Sequence, residues 1–248
     1  MPHPPRFYVS QKLSGKNVVT LDAEESHHAA SVLRLQKGDA LEVFDGEGRC
    51  FGARVGDLRQ GTLSVILEKK RDSEELPVQI TLAVSAIASD RMEFLIQKVC
   101  ELGAAEIWPV TTERSVVRLS PDRWAKKIVR WKKIVRESCK QCGRSKLPDI
   151  RDFRTFEALL GTLSVFDLVL LPTLGAETRE LFSVLKNSRA SRVLVMIGPE
   201  GDFSPREIRE ALRLGARAVT LGPLVLRTET AAVALVSVLS FFFRELQK

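Results

Sequence analysis

The chain has 248 residues, of which 44% are hydrophobic and 28% are charged, and its formal net charge is +7. This composition is that of an ordinary globular protein with one large domain or two small ones. The longest apolar run, residues 231–243, is too short to cross a bilayer, and residues 1–6 lack the apolar core of a signal peptide. We therefore predict a soluble, cytoplasmic protein with no membrane partner.

The cysteines and histidines give no metal-site pattern. Cys139 and Cys142 form a CxxC pair, but no second pair or histidine cluster lies at metal-ligand spacing. His27 and His28 have no nearby Cys or acidic ligand, which favours a helix cap and a surface residue. We therefore expect structural or packing thiols and no bound metal.

Residues 1–72 predict a small β-rich domain. Their runs of apolar residues are separated by Gly- and Asp-rich turns at residues 45–48 and 57–61, which is typical of a meander. The predicted elements are strands at 18–21, 40–44, 50–55 and 63–67 and a short helix at 23–33. The polar residues 69–75 then suggest a linker to a second domain.

Residues 77–248 alternate between strand and helix patterns, which indicates an α/β domain with a largely parallel sheet. The predicted strands lie at 78–86, 106–110, 167–171, 193–197 and 219–221, and the predicted helices at 91–102, 121–143, 177–185 and 228–245. No strand is followed by GxGxxG or by a Walker A loop. An NAD-dependent enzyme and a nucleotide triphosphatase are therefore disfavoured.

The predicted helix at 121–143 concentrates the positive charge. Residues 114–151 contain thirteen Lys or Arg and only three acids, whereas the rest of the chain is net negative. At 100° per residue, one face is apolar and the other basic. The apolar face carries Trp124, Ile128, Trp131, Val135, Ser138 and Cys142, and the basic face carries Lys126, Arg130, Lys133, Lys140 and Arg144. The basic face suits an RNA backbone, although a solvated charged face is the alternative.

The last predicted helix, residues 228–245, is apolar nearly all round. Such a helix must be buried on every side, and a sheet covers only part of it. We therefore predict a homodimer interface on this helix, with an intramolecular cover by the first domain as the competing explanation.

Two loops stand out at the ends of predicted strands. Residues 198–203 follow an apolar strand and precede a capping box, in which Ser204 is the N-cap, Pro205 the first helical residue and Glu207 the third. Residues 222–227 follow the next strand, and Thr228 is a plausible N-cap for the last helix. In a parallel sheet, such loops open onto a ligand crevice.

Together these motifs resemble the RsmE family of ribosomal RNA methyltransferases, which belong to the SPOUT class. The resemblance covers essentially the whole chain. It is carried by residues 6–9, His28 with 32–34, 90–93 leading to 97–98 and 101–103, 113–115, Gln141 with Arg144, 198–201, 221–223 and 226–231. Four positions depart from the family pattern, where Ala88, Lys140, Asp202 and Leu224 replace a usual lysine, glutamate, glycine and arginine.

The resemblance implies a PUA-like RNA-binding domain over residues 1–72 and a trefoil-knotted SPOUT methyltransferase domain over residues 77–248. It also implies a homodimer through the C-terminal domain and S-adenosyl-L-methionine as the methyl donor. The implied reaction is methylation at N3 of a uridine in 16S ribosomal RNA, free or within the small ribosomal subunit.

The loops suggest which residues would act. Glycine allows a close approach to a ligand, and leucines would form apolar walls for adenine. The expected cofactor-binding residues are Leu171, Gly198, Glu200, Gly201, Leu221, Gly222 and Leu226. The expected RNA-binding residues are Arg6, Arg34, Arg114, Lys126, Arg130, Lys133 and Arg144.

Uracil N3 keeps its proton near neutral pH, so methylation there needs a base or a stabiliser of the uracil anion. We expect Arg227 to stabilise negative charge on the uracil oxygens, with Glu229 or Glu200 as the proton acceptor. Alternatively, Glu229 only complements the helix dipole and Arg227 binds a phosphate.

Two other functions remain open from the sequence. One is a non-catalytic RNA-binding or ribosome-assembly protein on the same fold, which the departures at Asp202 and Leu224 would suit. The other is a methyltransferase that acts on a different RNA position. Binding of the methyl donor distinguishes the first of these from an enzyme, and mapping of the modified base distinguishes the second.

Overall fold

A computed structural model describes residues 4–72, 75–175, 177–186 and 188–246. The chain divides into two compact units. The first consists of residues 1–75 and 136–147, and the second of residues 76–135 and 148–248. The sequence did not predict that residues 136–147 belong to the first unit.

The first unit contains a five-stranded sheet. Its strands are β1 (Arg6–Tyr8), β2 (Val18–Thr20), β3 (Ala40–Phe44), β4 (Cys50–Arg59) and β5 (Thr62–Arg71). Their order is β1-β3-β4-β5-β2, and every neighbouring pair is antiparallel except β1 and β3. Alternate side chains of these strands, such as Leu41 and Val43, enter one buried apolar core.

Strands β4 and β5 are longer than predicted. They continue through residues 57–59 and 69–71, which the sequence had assigned to a turn and a linker. The turn itself is confined to Gln60 and Gly61, which both have positive φ and so match the right-handed twist of a hairpin. The rest of the predicted linker includes residues 73 and 74, which lie outside the described residues.

Helix α1 (Ala23–His27) is followed by a π-helical turn over His28–Val32, where one continuous helix was predicted. Glu25 of α1 is buried and pairs with Lys140, whose Nζ lies 3.0 Å from Glu25 Oε2. Burial raises the pKa of Glu25, and the hydrogen bond from Lys140 opposes this shift. The prediction that Lys140 lies on the solvent-facing basic stripe is therefore wrong, because a buried carboxylate 115 residues away draws it inward.

The second unit contains a sheet in which every paired strand is parallel, as predicted. Its strands are β6 (Gln79–Ser85), β7 (Glu106–Thr111), β8 (Asp149–Ile150), β9 (Arg154–Thr155), β10 (Leu168–Pro172), β11 (Arg179–Glu180), β12 (Arg192–Ile197) and β13 (Arg217–Thr220). The order is β11-β13-β10-β12-β6-β7-β8, with β9 also paired to β7. Continuous burial along β6 and β12 reflects helices on both faces.

The helices of this unit are α2 (Ser89–Glu101), α3 (Pro121–Cys142), α4 (Phe156–Leu160), α5 (Leu181–Leu185), α6 (Pro205–Arg213) and α7 (Thr228–Glu245), and the last seven residues of α3 belong to the first unit. The helix predicted from residue 177 starts only at Leu181, since Arg179 and Glu180 pair with β13. Among the described residues, no helix is long and apolar enough to span a bilayer.

The strand order places three loops side by side. Strand β10 lies between β12 and β13. The chain therefore crosses from one side of β10 to the other on its way from β12 to β13. The carboxyl ends of β10, β12 and β13 therefore meet at one edge of the sheet, at a reversal of strand order where α/β proteins bind ligands. The trefoil knot stays a prediction.

The burial of α3 and α7 can be compared with the pattern of apolar residues in their sequences. The predicted apolar face of α3 is correct, since Trp124, Ile128, Trp131 and Val135 are all buried. Helix α7 is only partly buried within this chain, as the homodimer prediction requires, because Phe241 is 64% exposed and several neighbours are only half-buried. The homodimer itself stays a prediction. One apolar side of α7 thus remains open to another molecule.

Candidate functional site

The three loops at this edge enclose an open cleft. About 620 Å³ of space in and above it is free of protein atoms. The cleft is lined by Pro172, Thr173, Leu174, Ile197, Gly198, Pro199, Glu200, Asp202, Val219, Thr220, Leu221, Gly222, Leu224, Val225, Leu226, Thr228 and Ala231. Most of these side chains are apolar, so the cleft suits a ligand with a large uncharged surface.

The loop after β12, residues 198–203, is tightly packed. A Cβ on Gly198 would lie 3.1 Å from the ring of Phe203 and 3.2 Å from its backbone nitrogen, so only glycine fits without a shift. The Thr228 hydroxyl donates to the carbonyl oxygen of Gly198 at 3.1 Å. Thr228 is the first residue of α7 and not its N-cap, as the sequence had suggested. The N-cap is Arg227, whose side chain makes no capping hydrogen bond.

The far end of this loop is anchored by the predicted capping box, which the structure confirms. The hydroxyl of Ser204 accepts from the Glu207 amide at 3.2 Å, and the Glu207 carboxylate accepts from the Ser204 amide at 2.8 Å. The second oxygen of Glu207 accepts from the amide of Glu113 at 2.8 Å. Arg114 Nη1 donates to the carbonyl oxygen of Gly201 at 2.7 Å. The loop after β7 thus supports the loop after β12.

The loop after β13, residues 221–227, is less restrained. The hydroxyl of Thr220 accepts from the amide of Gly222 at 3.1 Å and donates to the carbonyl oxygen of Gly222 at 3.2 Å. These two bonds form a local turn. Gly222 has a φ of +109°, which favours glycine. Leu224 and Val225 line the cleft although they are 75% and 76% exposed.

The structure brings most of the expected cofactor-binding residues together. Five of them line the cleft, namely Gly198, Glu200, Leu221, Gly222 and Leu226. Leu171 is instead fully buried in the core beneath the cleft, and Gly201 contributes its carbonyl oxygen to Arg114. The sequence reasoning missed Thr173 and Leu174, which follow β10 and become neighbours of the other loops only through the strand order.

A shallow depression lies on another side of the first turn of α7, and it contains both expected catalytic residues. It is lined by Asp90, Arg91, Phe94, Arg227, Glu229 and Thr230. The Arg91 guanidinium forms an ion pair with Glu200, and this hydrogen bond raises the pKa of Arg91. Glu229 is buried, and its Oε2 has no hydrogen-bond partner among the residues that the structure describes.

Six of the seven expected RNA-binding residues fall into two groups, and the seventh, Arg114, donates to the loop after β12. The side chains of Lys126, Arg130 and Lys133 project from the exposed face of α3, although Arg130 also pairs with Glu93. Arg34 is exposed in a turn of the first unit, with a φ of +55°.

Arg6 and Arg144, in contrast, have internal partners. Their side chains are only 13% and 12% exposed. Arg6 donates to the carbonyl oxygen of Arg144 at 3.1 Å and pairs with Glu42, whereas Arg144 pairs with Glu75. These contacts stabilise the first unit.

Family models match both parts of the chain. The model described as an RNA methyltransferase domain matches residues 74–240, and the one described as an RNA methyltransferase PUA domain matches residues 21–68. The chain therefore belongs to the RNA methyltransferase family that these models describe, as the resemblance predicted. Among its described residues, no group of three or more His, Cys, Asp or Glu could hold a metal ion.

Individual relatives agree with this assignment. Ribosomal RNA small subunit methyltransferase E of Bacillus subtilis is 30% identical over 95% of this chain and 96% of the relative. The same enzyme from Neisseria gonorrhoeae, solved with S-adenosyl methionine, superposes with a TM-score of 0.85 at 32% identity, over 96% and 98% of the two chains. A putative methyltransferase from Legionella pneumophila, solved with its bound cofactor SAM, gives a TM-score of 0.88 at 31% identity, over 97% and 98%.

Proposed function

We propose that this protein transfers the methyl group of S-adenosyl-L-methionine to N3 of a uridine in 16S ribosomal RNA, either free or within the small ribosomal subunit. The observation that carries the proposal is the three-loop cleft at the reversal of strand order, in a chain that belongs to an RNA methyltransferase family. Such a substrate places the reaction in the cytoplasm.

The residues of the cleft fit the proposed cofactor. The cleft is open and is lined mostly by apolar side chains with a few polar groups, as small-molecule sites usually are. Val219, Leu221 and Leu226 would pack against the adenine, and the loop at Gly222 would expose backbone groups to it. When bound, S-adenosyl-L-methionine supplies an electrophilic methyl group on a positively charged sulfur. The protein then contributes mainly by positioning this group against the acceptor base.

The two candidate proton acceptors differ in their surroundings, which favours Glu229. The Glu200 carboxylate already forms an ion pair with Arg91, so one of its oxygens is occupied. Glu229 Oε2 is buried and has no partner among the described residues, and a buried carboxylate oxygen in this state favours any donor that reaches it. A uracil N3–H in the depression would be such a donor.

Arg227 lines the same depression and is exposed. A guanidinium there would stabilise the negative charge that develops on the uracil oxygens when N3 loses its proton. Glu229 and Arg227 thus have complementary proposed roles, one as proton acceptor and one as charge stabiliser.

Steady-state kinetics with the variants E229Q, E200Q and R227A test these roles. We expect kcat to fall about 100-fold for E229Q, within the usual contribution of a general base, and much less for E200Q. For R227A we expect a similar fall of about 100-fold in kcat with unchanged RNA affinity. Full turnover of R227A at unchanged RNA affinity would remove it from the mechanism, and equal losses for E229Q and E200Q would remove the distinction between the two acids.

RNA binding by the exposed side chains of α3 is the second part of the proposal. Lys126, Arg130 and Lys133 of the second unit would contact phosphates. In the first unit, Arg34 is proposed as a separate phosphate contact, whereas Arg6 and Arg144 would act by stabilising that unit. A triple Gln variant at Lys126, Arg130 and Lys133 should reduce the slope of log affinity against log salt by about 2 to 3. The matched control is a triple Gln variant at Arg206, Arg209 and Arg213 on α6. Equal slopes for the two variants would place the RNA elsewhere.

We also propose that the protein is a homodimer through α2 and α7, which pack against each other. Phe94 on α2 is 50% exposed and Phe241 on α7 is 64% exposed, so both offer apolar surface to a partner. Sedimentation should show a dimer that the double variant F94E/F241E converts to a monomer. F182E on α5, where Phe182 is 65% exposed, is the control and should remain dimeric.

Isothermal calorimetry followed by mapping of the modified base tests the function as a whole. We expect the protein to bind S-adenosyl-L-methionine and a deletion strain to lack one methyl group on a uridine N3 of 16S ribosomal RNA. Absence of binding would favour a non-catalytic RNA-binding or ribosome-assembly protein. Loss of a different modification would assign the enzyme to another RNA position.

A further inference from the structure

One carboxylate joins two of the three loops that line the cleft. Asp202, in the loop after β12, has a φ of +60°, which is uncommon for residues other than glycine but is tolerated by Asp and Asn. Its Oδ2 accepts from the Thr173 hydroxyl at 2.7 Å and from the Leu174 amide at 2.9 Å, both in the loop after β10. Its Oδ1 accepts from the amide of Phe203 at 2.7 Å.

These bonds extend into the body of the domain. The amide of Asp202 donates to the carbonyl oxygen of Pro199 at 2.9 Å, which closes the turn of its own loop. The hydroxyl of Thr173 accepts from the amide of Gly175 at 3.1 Å, so the loop after β10 is folded around the same carboxylate. A Cβ on Gly175 would lie 3.1 Å from Ile208 of α6, which shows how closely this loop approaches that helix.

The carboxylate is a strong acceptor for this purpose. Hydrogen bonds to a charged oxygen are roughly twice as strong as those between neutral groups. Three donors already occupy most of the roughly four acceptor sites that a carboxylate offers. Asp202 therefore has little capacity left for a ligand, although it lines the cleft.

We propose that Asp202 is a positioning residue, which fixes the loops after β10 and β12 at the separation that the methyl donor requires. This inference rests on the proposed function, since it assigns the cleft to S-adenosyl-L-methionine. A cleft whose loops are fixed in advance binds its ligand without the entropy cost of ordering them. The carboxylate acts through Thr173 and Leu174 and not by attraction to the sulfonium charge.

The variants D202G and D202N distinguish the effect of the carboxylate from the effect of the backbone conformation. Glycine adopts a φ of +60° without strain, so D202G removes the hydrogen bonds and leaves the turn allowed. Asparagine keeps one oxygen that can accept from both Thr173 and Leu174, but its amide nitrogen would face the Phe203 N–H. T173V removes a single donor from the same network. D152N, at an exposed aspartate, is the control for the change in charge.

Calorimetry with S-adenosyl-L-methionine and with its uncharged product S-adenosylhomocysteine is the test. We expect D202G to weaken both ligands about 10-fold, equivalent to about 1.4 kcal/mol, with D202N and T173V near threefold and D152N unchanged. In kinetics, the KM for the methyl donor should rise while kcat at saturation is retained. The Leu174 amide should exchange its hydrogen faster in D202G.

Three results would overturn the positioning role. One is unchanged affinity in D202G, even with a lowered melting temperature, since Asp202 would then be only structural. Another is a loss confined to S-adenosyl-L-methionine, which would indicate direct contact with the sulfonium charge. The third is unchanged exchange of the Leu174 amide. Failure of the unmodified protein to bind either ligand would instead contradict the proposed function itself.

Discussion

The two long walls of the cleft are built differently. The loop after β12 receives hydrogen bonds from outside itself, with Thr228 donating to Gly198, Arg114 to Gly201, and Thr173 to the carboxylate of Asp202. The loop after β13 is folded around its own Thr220, and its Leu224 and Val225 remain largely exposed. One wall is therefore fixed before a ligand arrives, whereas the other would bury its apolar surface only against a ligand.

Because of this difference, substitutions in the two walls should have different effects on stability and on affinity. A change in the fixed wall should lower both the free energy of unfolding and the affinity for S-adenosyl-L-methionine, because the same contacts serve both. A change in the exposed wall should lower the affinity alone, because its side chains contribute little to the folded state without ligand. Four variants test this comparison.

The largest effect is expected for G198A in the fixed wall. The added Cβ would lie 3.1 Å from the Phe203 ring and 3.2 Å from its backbone nitrogen, so a buried group must move. We expect a loss of about 2 kcal/mol in the free energy of unfolding, typical of overpacking, measured by urea denaturation. The affinity for the methyl donor should fall more than about 10-fold. The control is G161A, where φ is −62° and the added Cβ finds ordinary contact distances. If G198A unfolded at the same urea concentration as the unmodified protein, this wall would be adaptable and not fixed.

The next effect is expected for the double variant L224S/V225S in the exposed wall. The free energy of unfolding should stay within about 0.5 kcal/mol of the original, as for most surface substitutions. The affinity for S-adenosyl-L-methionine should fall about 10-fold, because apolar surface that the ligand would cover is lost. A stability loss as large as that of G198A would contradict the distinction between the two walls.

The third effect is expected for T228V, which replaces a buried hydroxyl with a methyl group of similar size. The carbonyl oxygen of Gly198 would lose its donor, at a cost of about 1 to 2 kcal/mol in the free energy of unfolding. The affinity for the methyl donor should fall only about threefold, since the turn at Gly198 is also held by its packing against Phe203. T20V is the control, at an exposed threonine of β2.

The sequence predicted the elements whose signals are local. The apolar run of β12 and the capping box at Ser204 and Glu207 lie within sixteen residues, so both were predicted correctly. The two loops that carry Gly198 and Gly222 were also predicted correctly. These features depend on backbone preferences and nearest neighbours, which a single stretch of sequence contains.

Several of the incorrect or missing predictions depend on partners that are distant in sequence. Lys140 turns inward to reach Glu25, and Thr228 bonds Gly198 instead of capping its own helix. Thr173 and Leu174 were missed because their place in the cleft follows from β10 lying between β12 and β13. Strand order is a property of the whole sheet, so no local pattern specifies it.

The smallest effect is expected for Arg114, which the sequence assigned to RNA. Its Nη1 donates to the carbonyl oxygen of Gly201 at 2.7 Å and lies 3.4 Å from that of Phe203, although the residue is exposed. R114K keeps the charge but loses the planar geometry that reaches both carbonyls. If Arg114 serves the fixed wall, R114K should weaken the methyl donor about twofold to threefold, since an exposed hydrogen bond contributes less than about 1 kcal/mol.

In the same variant, the salt dependence of RNA affinity should stay unchanged, because a lysine still neutralises a phosphate. R114A provides the complementary measurement. An unchanged salt slope in R114A would assign Arg114 to the cleft, whereas a slope reduced by about 1 would assign it to a phosphate. The guanidinium has five N–H donors, and a single nitrogen, Nη1, makes both contacts to the loop. A reduced slope together with weaker binding of S-adenosyl-L-methionine would therefore show that Arg114 couples the two sites.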